Sequence, residues 1–89
     1  MIAISARVHG RVQGVGFRYS TQYTAQELGI VGWVRNEFDG TVLVEAEGEP
    51  ENIDRFVEWL KEGPPPARVT SVEVQKKAPS GSWRRFSVK

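Results

Sequence analysis

The spacing of inward-facing positions changes along the first part of the chain from that of a strand to that of a helix. Alternate residues from 2 to 8 are apolar, which is typical of a strand with one buried face. From residue 17 to residue 28 the positions that share a face have helical spacing, and Gly29 provides a C-terminal stop. The strand positions are Ile2, Ile4, Ala6 and Val8, and the helix positions are Phe17, Thr21, Ala25 and Leu28.

The rest of the chain continues this succession of elements. Residues 30–35 and 41–47 are rich in β-formers and flank an Asp-Gly turn at 39–40, which predicts a hairpin. Apolar residues at 53, 56, 57 and 60 predict an amphipathic helix that Gly63 ends. The remaining predicted elements are an extended connector at 64–66, a strand with Val72 and Val74, a turn at 79–82 and a short strand around Phe86 and Val88.

The predicted order is β-α-β-β-α-β followed by a short C-terminal strand. This is the order of the ferredoxin-like fold, an α+β two-layer sandwich with an antiparallel sheet and both helices on one face. The length predicts a single domain over residues 1–89, because 89 residues are too few to form a second core. The fold occurs in metal carriers, RNA binders, regulatory domains and enzymes, so the function has to be argued from a site.

Composition removes several classes of site. The chain has no cysteine and a single histidine, His9, which excludes disulfides, thiol nucleophiles, thiolate metal sites and a histidine-rich metal centre. Its 12 basic and 11 acidic side chains leave a net charge of +1, so we expect no general attraction to nucleic acid or anionic lipid. No segment has the pattern of a signal peptide or the length of a membrane span, which predicts a cytoplasmic protein.

A glycine-rich loop joins the first strand to the first helix. Gly14 and Gly16 allow successive backbone N–H groups to turn toward one point and keep side chains out of that concavity. The helix N-terminus adds unpaired donors, and Arg18 adds a planar cation matched to two phosphate oxygens. These features predict a seat for a small tetrahedral anion. Its residues are Gln13, Gly14, Val15, Gly16, Phe17 and Arg18.

Two other interpretations of this loop remain open at this point. The glycines can simply form a tight turn, with Arg18 solvated on the helix. Residues 13–20 also resemble, superficially, the signature of RNA-recognition domains, which share this fold. Only Gly14, Gly16 and Phe17 match that signature, and the signature belongs in a central strand rather than in a strand-to-helix loop. Walker A and complete dinucleotide-binding patterns are absent.

A second polar position lies near the end of the predicted second strand. Asn36 precedes the Asp-Gly turn at 39–40, and an asparagine in that place is explained most simply as a turn-initiating residue that bonds nearby backbone. Considered by itself, this segment therefore favours a structural role for Asn36 over a catalytic one.

Taken together, the two segments resemble those of the acylphosphatase family. The first is GRVQGVGFR at 10–18, and the second is GWVRN at 32–36 with the Asp-Gly pair at 39–40. Both long motifs occur in order and at the family's separation, and the resemblance covers nearly the whole chain. Further matching residues lie at 25–29, 47–48, 63–64 and 67–69. The chain departs mildly from commoner members at Glu37 and Phe38, which flank the site.

The resemblance implies hydrolysis of a small-molecule acyl phosphate to a carboxylate and inorganic phosphate, without metal or cofactor. It implies that backbone N–H groups of residues 13–18 cradle the phosphoryl group, that Arg18 binds its oxygens and that Asn36 orients the attacking water. Such residues suffice because phosphoryl transfer depends mostly on positioning and charge stabilisation. We expect a phosphoryl oxygen to accept the water's proton, since no protein base stands out. We also expect a monomer that binds neither membranes nor nucleic acid.

Several further residues bear on the function class. Tyr19 and Tyr23 can contact an acyl group, although partial burial is the favoured expectation, and we expect the three tryptophans to lie in the core or at its edge. By the same resemblance, the terminal carboxylate of Lys89 lies near the loop, where it can pair with Arg18. The alternatives to an enzyme are a regulatory domain and a module that holds phosphate, RNA or a carbamoyl-phosphate-like ligand without turnover.

Overall fold

The computed structural model describes residues 1–89 and has five strands and two helices in the predicted order. The elements are β1 (Ile2–Arg11), α1 (Phe17–Glu27), β2 (Val31–Asn36), β3 (Val42–Gly48), α2 (Pro50–Glu62), β4 (Arg68–Lys77) and β5 (Phe86–Val88). β1 continues three residues beyond its alternating pattern because β4 pairs with it as far as Arg11. Neither helix has the length and apolar character needed to cross a membrane.

The strands form one sheet in the order β4-β1-β3-β2-β5. Neighbouring strands are antiparallel except β5, which pairs in parallel with β2, so the prediction of an entirely antiparallel sheet is wrong at this edge. The register explains the difference. Lys77 at the end of β4 is opposite Ala3, and Val31 at the start of β2 is opposite Glu47, which also faces Ala3. β4 therefore ends at the end of the sheet where β2 begins. Because the chain crosses the sheet at that end, β5 starts there too and runs parallel to β2.

The apolar core lies between one face of the sheet and the two helices. The predicted alternation of β1 is confirmed, because Ile4, Ala6 and Val8 are buried. The core residues of both helices belong to one cluster with these strand residues, so both helices cover the same face, as in a ferredoxin-like fold. The helix members of the cluster are Phe17, Ala25, Ile53, Phe56 and Leu60.

The opposite face of the sheet holds a buried carboxylate. Glu47 is 1% exposed, although its place in the alternation of β3 turns it away from the core. Its carboxylate accepts hydrogen bonds of 2.8 Å from both the N–H and the hydroxyl of Ser80, and one of 3.1 Å from the N–H of Gly81. These hydrogen bonds hold the segment between β4 and β5 against the sheet, where this segment crosses from one edge strand to the other.

Replacing Glu47 with glutamine is expected to lower the free energy of unfolding by about 1–3 kcal/mol at neutral pH, because a buried NH₂ group then faces the N–H donors of Ser80 or Gly81. The native chain should also lose stability in acid. The hydrogen bond from the Ser80 N–H is the largest cause of a lowered pKa of the Glu47 carboxyl, and burial opposes it. With a folded-state pKa below the unfolded value of 4.5, this stability is present above 4.5 and is lost as the pH falls through the folded-state pKa.

Urea unfolding at a series of pH values measures both effects. The matched control is Glu27→Gln, since Glu27 is an exposed glutamate at the end of α1. Equal unfolding midpoints for the two variants at neutral pH would show that the hydrogen bonds of Glu47 do not stabilise the fold.

Candidate active site

The loop between β1 and α1 presents a row of unpaired backbone donors. Gly14 and Gly16 have φ angles of 76° and 78°, and Val15 between them has a negative φ, an alternation that turns successive N–H groups to one side. None of the N–H groups of residues 13–18 donates a backbone hydrogen bond, and no side chain caps the helix. The first bond of α1 runs from the Ser20 N–H to the Gly16 oxygen. Such a row at a helix N-terminus suits a bound anion.

Arg18 lies on the first turn of α1, next to this loop. Its half-buried side chain donates a hydrogen bond of 2.9 Å from Nη1 to the main-chain oxygen of Lys89, so the expected contact between these two residues is present. The Lys89 N–H in turn donates to the Val34 oxygen at 2.8 Å, which fixes this end of the chain against β2. One side of the guanidinium is thus held by Lys89, the residue after β5, and its remaining N–H groups can serve a ligand.

Asn36 is the last residue of β2, and its side chain is exposed. The side chain that ties the following turn is that of Asp39, whose Oδ1 accepts hydrogen bonds from the Thr41 hydroxyl at 2.6 Å and the Thr41 N–H at 3.0 Å. These bonds, the hydroxyl's first, lower the pKa of Asp39, and the charge of Arg7 acts in the same direction. The structural role that the sequence favoured for Asn36 therefore belongs to Asp39.

Arg18 and Asn36 line the same small cleft, with a volume of about 150 Å³. Its other lining residues are Val12, Gly14, Gly16, Phe17 and Tyr19. The two predicted catalytic residues and most of the predicted loop are therefore brought together in space. Val15 does not line the cleft, and Gln13 lines an adjoining, wider cleft of about 630 Å³ that shares Asn36 with it. That wider cleft also includes Arg35, Glu37 and Phe38.

Gln13 has a contact that the sequence did not indicate. Its Nε2 donates hydrogen bonds to the main-chain oxygens of Glu37 at 2.8 Å and Thr41 at 2.9 Å. Both acceptors frame the turn after Asn36, and the Glu37 N–H itself donates to the Thr41 oxygen at 2.9 Å. One side chain therefore joins the glycine-rich loop to the turn that positions Asn36. The acceptors lie 24 and 28 residues further along the chain, where no local pattern could reveal them.

Other side chains noted in the sequence lie outside this cleft or differ in exposure. His9 places Nε2 2.6 Å from Oε1 of Glu73 and lines neither cleft. Tyr19 and Tyr23 are each 66% exposed, so the expectation of partial burial is wrong for both. The reason is that α1 buries a different face, formed by Phe17, Thr21 and Ala25. All three tryptophans are half-buried, and of these Trp59 packs against the core as expected.

Comparisons with known proteins were made on the sequence and on the fold. The sequence model of a family described as Acylphosphatase matches residues 4–88. An acylphosphatase of Oceanobacillus iheyensis is 52% identical over 87 residues, which cover 97% of this chain and 96% of that protein. An acylphosphatase of Acaryochloris marina is 49% identical over 88 residues, which cover 99% of this chain and 94% of that protein.

The fold gives the same result. The crystal structure of acylphosphatase from Bacillus subtilis matches this chain with a TM-score of 0.96 at 40% identity, over 100% of this chain and 99% of that one. The family match includes both segments that line the small cleft. This chain therefore belongs to the acylphosphatase family, hydrolases that cleave the carboxyl–phosphate bond of acyl phosphates.

Proposed function

We propose that residues 1–89 work as one catalytic domain, a cytoplasmic monomer that hydrolyses acyl phosphates with its own side chains and backbone, without metal or cofactor. The observation that carries this proposal is the cleft shared by the loop, Arg18 and Asn36. In it the N–H groups of residues 13–18 and the Arg18 guanidinium bind the phosphoryl oxygens. Asn36 orients the attacking water through its amide.

The reaction is a displacement at phosphorus. The water oxygen forms a bond to phosphorus as the bond from phosphorus to the carboxylate oxygen breaks, and the two oxygens lie roughly in line. A phosphoryl oxygen takes the proton of the water, so the products are inorganic phosphate and a carboxylate. The fixed N–H donors and the guanidinium stabilise the charge on the equatorial oxygens. His9 takes no part in proton transfer, because it is paired with Glu73 outside the cleft.

The exposed face of the sheet gives no support to the RNA-binding alternative. RNA-recognition domains with this fold stack bases on aromatic residues of their central strands. Of the three inner strands, β1 and β3 carry no phenylalanine, tyrosine or tryptophan on this face. β2 carries only Trp33, and the cations of Arg35 and Lys89 lie 4.7 Å and 4.6 Å from the centre of its ring. The residues that β1 and β3 place on this face are Ala3, Ser5, Arg7, His9, Leu43, Glu45 and Glu47.

Release of inorganic phosphate from benzoyl phosphate tests the proposal, with a chelator present and no metal added. We expect benzoate and phosphate in equal amounts at a rate that the chelator does not change. A chelator-sensitive rate would contradict the metal-free mechanism. A chain that turns over neither benzoyl nor acetyl phosphate but binds single-stranded RNA would overturn the proposed function.

Replacing Gln13 with alanine is expected to reduce kcat for benzoyl phosphate about tenfold or more, because Asn36 and the phosphate loop lose the side chain that holds them in register. Inhibition by inorganic phosphate should change much less, since the backbone donors remain. Steady-state kinetics and the inhibition constant of phosphate measure the two effects.

Gln22→Ala is the matched control for that variant. Gln22 also uses its amide to bond a main-chain oxygen, that of Phe86 at 3.0 Å, but this bond is remote from the turn after Asn36. A Gln13→Ala enzyme with a native kcat and a stability lowered as much as in Gln22→Ala would mean that Gln13 only stabilises the fold.

A further inference from the structure

An open groove of about 500 Å³ runs along the exposed side of α1. α1 contributes Tyr19 and Tyr23 to its lining, and α2 with the connector after it contributes Trp59, Pro64 and Pro65. Isolated exposed apolar residues are common on proteins, but two tyrosines that are each 66% exposed and one helical turn apart form a continuous surface. Nothing in the phosphate-binding mechanism uses them.

Two of the residues that line the groove are held by packing against the core. The Trp59 ring packs against the Phe17 ring at a centroid distance of 5.6 Å, and Phe17 is a buried residue of the phosphate loop. Pro64 is buried in the connector after α2, where the proline ring limits the backbone. The groove is therefore built on the same packing that shapes the phosphate loop.

The groove and the small cleft meet at Tyr19, which lines both of them. The Cζ atom of Arg18 lies 6.0 Å from the centre of the Tyr19 ring, so this ring stands next to the cation that is proposed to bind the phosphoryl group. A group attached to a phosphate in the cleft reaches the groove by crossing Tyr19. Tyr23 lies one helical turn, about 5.4 Å, further along.

The acyl group of the substrate can lie either in this groove or in the wider cleft of Gln13 and Phe38, and the direction of attack by water decides between them. In an in-line displacement the entering and leaving oxygens are on opposite sides of phosphorus. Asn36 stands at the boundary between the small cleft and the wider one, so the water that it orients enters from that side. The leaving carboxylate then faces away from Asn36, and Tyr19 is the residue through which the small cleft adjoins the groove.

We propose that the groove of Tyr19, Tyr23 and Trp59 is the binding site for the acyl part of the substrate, and that it selects aromatic acyl phosphates. This inference rests on the proposed function. Stacking of a substrate ring on Tyr19 and then Tyr23 is a contact that an acetyl group cannot make. Discrimination by such an apolar contact amounts to about tenfold in kcat/KM.

Three substrates of increasing length test the proposal: acetyl, benzoyl and 4-phenylbenzoyl phosphate. For each enzyme the readout is the ratio of kcat/KM for the aromatic substrate to that for acetyl phosphate, so that intrinsic reactivity cancels between variants. Tyr23→Ala should lower the 4-phenylbenzoyl ratio about fivefold, while Tyr23→Phe should keep it. Tyr19→Ala should lower both aromatic ratios. Both tyrosines are exposed, so these substitutions should leave the fold intact, and circular dichroism of each variant verifies that it is folded.

Phe38→Ala is the control, because Phe38 is a fully exposed aromatic residue of the wider cleft. Its ratios should equal those of the native enzyme. Native ratios in both tyrosine variants, or a lowered ratio in Phe38→Ala alone, would overturn the proposal and place the acyl group elsewhere. Failure of the native chain to hydrolyse all three substrates is a different result, since it would overturn the proposed function itself.

Discussion

An Arg18→Ala enzyme is expected to lose about a thousandfold in kcat/KM for benzoyl phosphate, because the small cleft loses its one charged side chain, which is proposed to contact the phosphoryl oxygens. The backbone donors of residues 13–18 remain, so residual activity above the uncatalysed rate is expected. Inorganic phosphate should inhibit the variant far more weakly. Progress curves of phosphate release, with phosphate added as a competitive inhibitor, measure both quantities.

Two further variants separate charge from geometry at this position. Arg18→Lys keeps the charge but not the planar fork that can contact two oxygens, so it should recover only part of the lost activity. Arg11→Ala removes an exposed arginine at the end of β1 and should behave as the native enzyme. An Arg18→Ala enzyme within threefold of native would show that the loop binds phosphate without this guanidinium.

An Asn36→Ala enzyme is expected to lose about a hundredfold in kcat with a nearly native KM, because water positioning acts on the chemical step and not on substrate binding. The loss should be the same for acetyl and benzoyl phosphate, since both are attacked by the same water. The turn itself should persist, because Asp39 and Thr41 tie it. Rapid-quench or steady-state kinetics with both substrates provide the measurement.

Asn52→Ala, on α2, is the control for a general effect of removing an asparagine. Urea unfolding of Asn36→Ala should give a free energy of unfolding close to that of the native chain. A raised KM together with an unchanged kcat would instead assign Asn36 to substrate binding, and a large loss of stability would assign it to the turn.

The regular elements were predictable because each of them repeats its chemistry at a fixed period. The alternation through Ile4, Ala6 and Val8 depends only on which face of β1 meets the helices. In the same way, the spacing of Ile53, Phe56 and Leu60 fixes the buried face of α2. The parallel pairing of β5 was not predicted, because a strand of three residues has no period that shows where the preceding segment crosses the sheet.

The site was predictable only in part for a related reason. Arg18 and Asn36 were identified through the family resemblance, while local chemistry favoured a turn role for Asn36. The contacts of Gln13 and Glu47 join residues that are 24 to 34 positions apart, so no segment contains both partners. An amide in a glycine loop and a glutamate on an outward strand position look like ordinary surface residues until the chain is folded.

The unpaired N–H groups of residues 13–18 have a consequence for how this protein can vary. Main-chain donors are not encoded by any side chain, so most substitutions in the loop leave their number unchanged as long as Gly14 and Gly16 keep their backbone angles. They also carry no proton that dissociates in the range where proteins are folded. The backbone part of the proposed anion site is therefore insensitive both to acid and to most mutations, and selection can act on the surrounding positions, such as Glu37 and Phe38, without rebuilding it.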